Sequence, residues 1–189
     1  MTTADVVVLT FGGRRIPRRL QQLPVVSIDD ITAHRRVIVV GSNADLAAVL
    51  TRLLRAHRLD VEVGHVQNRW DVKRVIKGTA TRIPLIRDET GTVIVGAAEW
   101  HGDPLHGEVV VDDAVLFDGE VTGVRVEPTA TMPGLRAAVV GKRPRRWITG
   151  RAAQLGTPGA MVVRDGVPGP RTVKRSTFYR HTEGWLRVG

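Results

Sequence analysis

The chain has 189 residues and a formal net charge of +9, long enough to bury a real core as one sizeable domain or two small ones. Its 42% hydrophobic and 25% charged residues exclude a disordered chain, and the absence of cysteine excludes disulfides, thiol catalysis and zinc–thiolate sites. No apolar run is long enough to cross a bilayer, and Met-Thr-Thr-Ala-Asp lacks the layout of a secretion signal, so a cytoplasmic location is the default expectation. The positive balance points to a phosphorylated ligand, nucleic acid or an anionic surface. The excess of arginine over only four lysines, amid abundant Ala, Gly and Val, is equally the codon bias of a GC-rich genome.

In chain order, Val6, Val7, Val8 and Leu9 form a buried-strand signal, followed by a turn at Phe11-Gly12-Gly13. Residues 14–22 predict a short helix limited by Pro17, residues 24–28 a short strand, and residues 29–34 a turn capped by Asp29 or Asp30. Residues 37–66 organise the first half. Val37, Ile38, Val39 and Val40 read as a parallel strand buried on both faces. Gly41 permits a sharp turn, Ser42 or Asn43 caps a helix, and Asp45 sits in its first turn. Leu46, Val49, Leu50, Leu53 and Leu54 repeat at helical spacing, with Arg52, Arg55 and Arg58 toward the negative end of the dipole. Another strand follows at 60–66. A strand, turn and helix of this kind leave free amides at the carboxyl edge of a sheet, a natural anion site.

The character then changes. Residues 70–77 predict one more helix, with Val72, Val75 and Ile76 apolar. Beyond Gly78 only strand signals remain, at 82–86, 92–97, 107–111, 114–117, 121–127, 135–140, 160–164 and 172–175. Turn signals separate them, among them Asp112-Asp113 and Asp118-Gly119, and residues 156–159 and 168–170 read as loops. The fold class expected is α/β plus all-β: a small parallel α/β layer, residues 1–75, followed by an antiparallel β-sandwich-like domain, residues 76–189. Trp147, Phe178 and Trp185 are expected to fill the core of the sandwich. The segment 99–108, with His101 and His106 around Asp103, matches no zinc spacing and reads as a polar loop.

This layout resembles the diacylglycerol kinase and NAD kinase superfamily. There, a strand ends in Gly-Gly-Asp-Gly-Thr and a helix follows. The matching stretch is Val-Ile-Val-Val-Gly41-Ser42-Asn43-Ala44-Asp45-Leu46, in which Ser42 replaces the second Gly, Asn43 the Asp, Ala44 the third Gly and Asp45 the Thr. Phe117-Asp118-Gly119-Glu120 and Val163-Arg164-Asp165-Gly166 are similar to hairpins of that family's β domain, and residues 173–188 to its closing strands. A second signature, Gly-Thr-x-Asn-Asp, has only Gly78-Thr79-Ala80 as its nearest fragment.

The resemblance implies a divergent, shortened kinase-like protein that binds a nucleotide or phosphorylated small molecule between its halves, with ATP and Mg²⁺ as the cofactors. Phosphoryl transfer needs groups for the phosphates, a metal held by carboxylates, and a base. The residues it implies are Gly12, Gly13, Arg14, Gly41, Ser42 and Asn43 for phosphate, Asp112 and Asp113 for the metal, and Asp118 and Glu120 for catalysis. Replacement of the loop's acidic group by Asn43 argues against activity and for a pseudoenzyme. The alternative is a non-catalytic basic binding or scaffold protein. It would contact nucleic acid or an acidic protein through Lys142, Arg143, Arg145, Arg146 and Trp147, and through Lys174, Arg175, Phe178, Tyr179, Arg180 and Trp185.

Overall fold

The apolar run ending at Val40 forms the most buried strand of the first sheet in the computed structural model, which describes residues 5–68, 70–141 and 145–189. Its elements are β1 (Val6–Thr10), β2 (Arg36–Val40), α1 (Asn43–Arg55), β3 (Glu62–Val66), α2 (Asp71–Lys77), β4 (Ala80–Ile83), β5 (Ile86–Asp88), β6 (Val93–Ile94), β7 (Ala98–Val111), β8 (Ala114–Pro128), β9 (Leu135–Val139), β10 (Ile148–Gly150), β11 (Ala152–Arg164), β12 (Val167–Pro168), β13 (Val173–Arg180) and β14 (Trp185–Val188). Single 3₁₀ turns at Arg18–Leu20 and Ile31–Ala33 lie between β1 and β2. The chain divides into two compact units. One is the chain up to Ile83 together with Glu183–Gly189; the other is Pro84–Thr182.

The first unit is built on the sheet β1-β2-β3-β14-β4. β1, β2, β3 and β14 run parallel, and β4 pairs antiparallel with β14. All five residues of β2 are buried, as a strand flanked on both sides and covered on both faces requires. On one face Val8, Ile38, Val40 and Val66 pack with Leu20 from the 3₁₀ turn and with Val72 and Val75 of α2. The pleat turns the buried Val7, Leu9, Val37, Val39 and Val63 to the other face, where α1 presents Leu46, Val49, Leu50 and Leu53. Gly64 is what lets α2 sit close: a Cβ there would lie 2.8 Å from Val75 Cβ. At the sheet end opposite the candidate site below, the guanidinium of the buried Arg36 meets Glu62 at 2.5 Å, and Arg35 meets the other Glu62 oxygen at 3.2 Å. A buried guanidinium is tolerable only with such a partner.

Three details of this unit depart from the sequence reading. Residues 24–28 form no full strand; Val25 makes a single parallel bridge to Val8, through Val8 N to Pro24 O at 2.9 Å and Val26 N to Val8 O at 3.0 Å. That covers the outer edge of β1. The helix expected over 14–22 is one 3₁₀ turn entered through Pro17. Trp185 lies in β14, between β3 and β4, so it is buried in this unit and not in the β-domain core.

The second unit is an antiparallel sheet in the order β10-β9-β8-β7-β11-β13-β5-β6, with β12 paired to β11. Alternate residues of strands far apart in that order, from Ile94 of β6 to Val139 of β9, share one cluster around Trp100, Leu105 and Phe178. The sheet therefore curls about its own apolar face. Trp100 and Phe178 stack at its heart, 5.4 Å apart. The segment 99–108, expected as a polar loop, is instead most of β7. Ala98 and Trp100 point into the core while Glu99 and His101 point outward, a period of two that Gly102, Pro104 and Gly107 disguise. Residues 156–159 likewise lie within β11, where its pairing shifts register against both neighbours.

Candidate functional site

The parallel register aligns three chain exits. Thr10 pairs with Val40, and Val40 with Val66, so the segments after β1, β2 and β3 leave the carboxyl edge of the first sheet side by side. This is where parallel α/β sheets bind ligands. After β1, Gly12 and Gly13 take φ of 60° and 67°, and Arg14 N donates to Phe11 O at 3.2 Å. Two successive positive φ values are the pattern of a type I′ turn, which only small residues enter without strain. Both glycines are exposed, with no atom within 4 Å of where a Cβ would stand. Arg14 and Arg15 follow, also exposed.

After β2, Ser42 and not Asn43 is the cap of α1. Ser42 Oγ accepts from Asp45 N at 3.2 Å, while Asp45 Oδ2 accepts from Ser42 N at 2.7 Å and Ser42 Oγ at 2.8 Å, a complete capping box. A Cβ at Gly41 would stand 2.7 Å from Asp45 Oδ2, so glycine leaves room for the carboxylate to fold back over the turn. The Asp45 charge thus occupies the positive end of α1. The Asn43 and Ala44 amides stand at the first two helical positions, where an amide has no intrahelical acceptor.

After β3, Gln67 Nε2 donates to Asn43 Oδ1 at 2.6 Å, which ties the second and third exits together. Asp71 Oδ2 accepts from Gln67 N at 3.1 Å and Asn68 N at 3.0 Å, and Asn68 Oδ1 accepts from Trp70 N at 2.9 Å. His65 Nε2 lies 3.1 Å from Gly41 O; as a carbonyl only accepts, that nitrogen carries the proton. Burial pushes the His65 pKa below its ordinary value, against opposing bonds with the Gly41 and Ser42 backbone. His65, Gln67, Asn68 and Asp71 were missed from sequence. Their only signal is a polar Gln-Asn pair directly after a strand.

The acidic candidates belong to the second unit. Asp112 and Asp113 make the turn between β7 and β8, with Asp112 at φ 52°. Asp112 Oδ1 accepts from Arg151 N at 3.0 Å and Ala152 N at 2.9 Å, and Oδ2 from Arg151 N at 3.0 Å. The carboxylate therefore pins the start of β11, and no group of three His, Asp or Glu able to hold a metal occurs among the described residues. Asp118 and Glu120 are exposed on β8, opposite Glu108 and His106, with Glu120 Oε2 3.7 Å from His106 Nδ1.

Two other carboxylates act on the backbone in the same way as Asp112. Asp165 accepts from the amides of Val95, Gly96 and Ala97 at 2.6–3.0 Å. The fully buried Asp88 accepts from Thr90 and Thr92 and pairs with Arg164 at 2.6 Å.

On the outer face of β7, β8 and β9, Glu99 joins His101 and Arg125, and Glu127 joins Arg125 and Arg136. Desolvation alone would raise both glutamates, but the hydrogen bonds from Arg125, His101 and Arg136 win and hold them below the usual carboxylate range. Arg136 covers the half-buried Trp147 ring at 4.3 Å. Trp147 is therefore a surface aromatic and not a core residue. Of the basic loop before it, Lys142, Arg143 and Pro144 lie outside the described residues.

No helix among the described residues is long and apolar enough to cross a membrane. No family model matches the chain, and no curated protein matches it by sequence. Solved structures do. A diacylglycerol kinase from Bacillus anthracis str. Sterne superposes with a TM-score of 0.71 over 98% of this chain and 96% of that one, at 10% identity. An NAD kinase from Archaeoglobus fulgidus in complex with ATP gives 0.64 over 97% and 93%, also at 10% identity. Yeast NADH kinase complexed with NADH gives 0.58 over 93% and 69%, again at 10%. The chain has the fold of the diacylglycerol kinase and NAD kinase superfamily.

Proposed function

We propose that this chain binds a nucleotide or a phosphorylated small molecule at the carboxyl edge of its first sheet, and that it is not an efficient phosphotransferase. The observation that carries the reading is the alignment of three exits at one edge: the Gly12-Gly13-Arg14 turn, the start of α1 at Asn43, and the Gln67-Asn68 turn. It is supported by likeness to solved kinases, one of them in complex with ATP and another with NADH. In this reading the exposed Gly12 and Gly13 backbone approaches phosphate oxygens closely. Arg14 and Arg15 neutralise them, and the Asn43 and Ala44 amides donate to them.

Ser42 is fixed differently. Its amide already serves Asp45, so a helix start that would take a phosphate is partly filled by an internal carboxylate. That is the ground for weak catalysis. Magnesium in such reactions neutralises phosphate charge. The backbone-bound Asp112 does not fit it, and we assign it no step. Asp118 and Glu120 remain the acid–base candidates.

The experiment is calorimetric titration with ATP, ADP, NAD and tripolyphosphate, with and without Mg²⁺, on the protein and on Arg14→Ala/Arg15→Ala. The expected result is saturable binding of at least one, weakened by the arginine changes, with no phosphotransfer to water or lipid. Absence of binding by all four refutes the proposal.

A further inference from the structure

In the second unit, β13 lies between β11 and β5 but has both neighbours over only part of its length. β11 pairs with it over residues 173–179, whereas β5 meets only Phe178, Tyr179 and Arg180. At the next residue on the β5 side, Thr177 N donates to Glu89 Oε2 at 2.9 Å, so a carboxylate stands where a strand carbonyl would. Beyond Thr177, toward Val173, no strand among the described residues continues the ladder on that side. Backbone groups alternate in direction along a strand. The Thr177 amide faces the β5 side, while the Arg180 amide faces the other, donating to Arg151 O at 2.7 Å. The backbone groups of Val173 and Arg175 therefore face the open side with that of Thr177.

An open strand edge is a template for another strand, and its side chains select which. Arg171, Lys174 and Arg175 are exposed, and Val173 packs against the core of the unit. Successive side chains point to opposite faces, so Lys174 and Arg175 put one cation on each face of the edge. Glu89, the acid beside it, is engaged with Thr177 N. A second copy pairing β13 with β13 about a two-fold axis would set these cations against one another. An acidic strand meets both. We propose that the edge of β13 at residues 173–176 docks an extended acidic segment of another protein by strand addition. Main-chain bonds to Val173 and Arg175 hold the segment, and its carboxylates pair with Lys174 and Arg175. Nothing in this docking depends on ligand binding at the first sheet.

The test uses a fluorescein-labelled hexapeptide alternating Glu and Val, followed by anisotropy and by hydrogen exchange of the protein's amides. The expected result is saturable, salt-sensitive binding, with the Val173 and Arg175 amides exchanging fast in the protein alone and slowly in the complex. Lys174→Gln/Arg175→Gln changes only exposed side chains and should weaken binding roughly 2- to 30-fold, as the loss of two exposed ion pairs would. A Lys-Val hexapeptide should not bind. A fully N-methylated Glu-Val hexapeptide, which keeps the charge and loses every ladder donor, should not bind either. Equal binding by the N-methylated peptide, slowed exchange only at other residues, or no saturation by about 1 mM peptide overturns the proposal. Slow exchange of Val173 and Arg175 in the protein alone overturns it too, and a dimer in sedimentation would then assign the edge to a second copy.

Discussion

Replacing Asp45 with Asn tests the site at its centre, because fold and ligand respond in opposite directions. Asn keeps an oxygen at the place where Asp45 Oδ2 accepts from Ser42 N and Oγ at 2.7 and 2.8 Å, so the capping geometry survives. What disappears is the negative charge at the positive end of α1, worth about 0.5–1 kcal/mol of stability. A phosphate accepted by the Asn43 and Ala44 amides would bring its charge to within roughly 5 Å of that carboxylate. At a near-water dielectric the repulsion is about 1 kcal/mol per unit charge. Its removal should tighten tripolyphosphate binding about fivefold. Urea denaturation read at the midpoint, and calorimetric titration of the same preparations, measure the two effects. Asp45→Asn should shift the urea midpoint down and the dissociation constant down together. A variant with unchanged or weaker tripolyphosphate binding refutes the placement of the phosphate at α1. A variant with unchanged stability refutes the role given to the capping box.

Gly64→Ala should cost about 1–3 kcal/mol through overpacking, since its Cβ would lie 2.8 Å from Val75 Cβ. Adding Val75→Ala should recover part of that loss in a double-mutant cycle, and additive losses would refute the contact. Arg164→Met should cost about 3 kcal/mol in urea denaturation, because the buried Asp88 is left without its cation; a loss under about 1 kcal/mol would show that Thr90 and Thr92 satisfy it alone. His65 has a folded pKa below its unfolded value, so the unfolded chain binds the proton first and stability falls as pH drops below about 6.5. His65→Gln should flatten that slope between about pH 7 and pH 5. Glu99 and Glu127 have lowered folded pKa values, so their stabilisation is present above about pH 4.3 and is lost as pH falls through those folded values. Glu99→Gln/Glu127→Gln should show a shallower acid loss, and an identical acid limb would refute the network.

How much was legible in the sequence followed from how local the signal was. The run at 37–40, the turn at Gly41 and the repeat from Leu46 to Leu53 are local patterns, and β2 and α1 formed where they predict. The β half was legible as strands but not at their true length. In β7, Gly102, Pro104 and Gly107 read as loop punctuation, while pairing with β8 and β11 on either side keeps the strand going through a register shift. No local pattern could announce that Trp185–Val188 returns to lie between β3 and β4. That placement depends on two strands more than 100 residues away pairing with it, by the register Leu186 to Glu62 and Trp185 to Ile83.

The same distinction explains the site. Gly12, Gly13, Gly41 and Ser42 were recognisable because turn chemistry is written in the residue type. Gln67 and Asn68 were not, because their place beside Asn43 comes from the β2–β3 register and from a side-chain bond across 24 residues. The acidic candidates show the converse. Asp112 looks like a metal ligand in sequence, yet its carboxylate is the acceptor for the first amides of β11, as Asp165 is for residues 95–97. This chain repeatedly uses aspartate to collect backbone amides. Asp45 belongs to the same set, since it collects the Ser42 amide at the helix start. A turn that resembles a phosphate loop has therefore kept its shape by supplying its own anion. In the ligand-binding proposal, the groups left for phosphate are those that Asp45 does not engage, namely the Gly12-Gly13 turn with its arginines and the Asn43 and Ala44 amides.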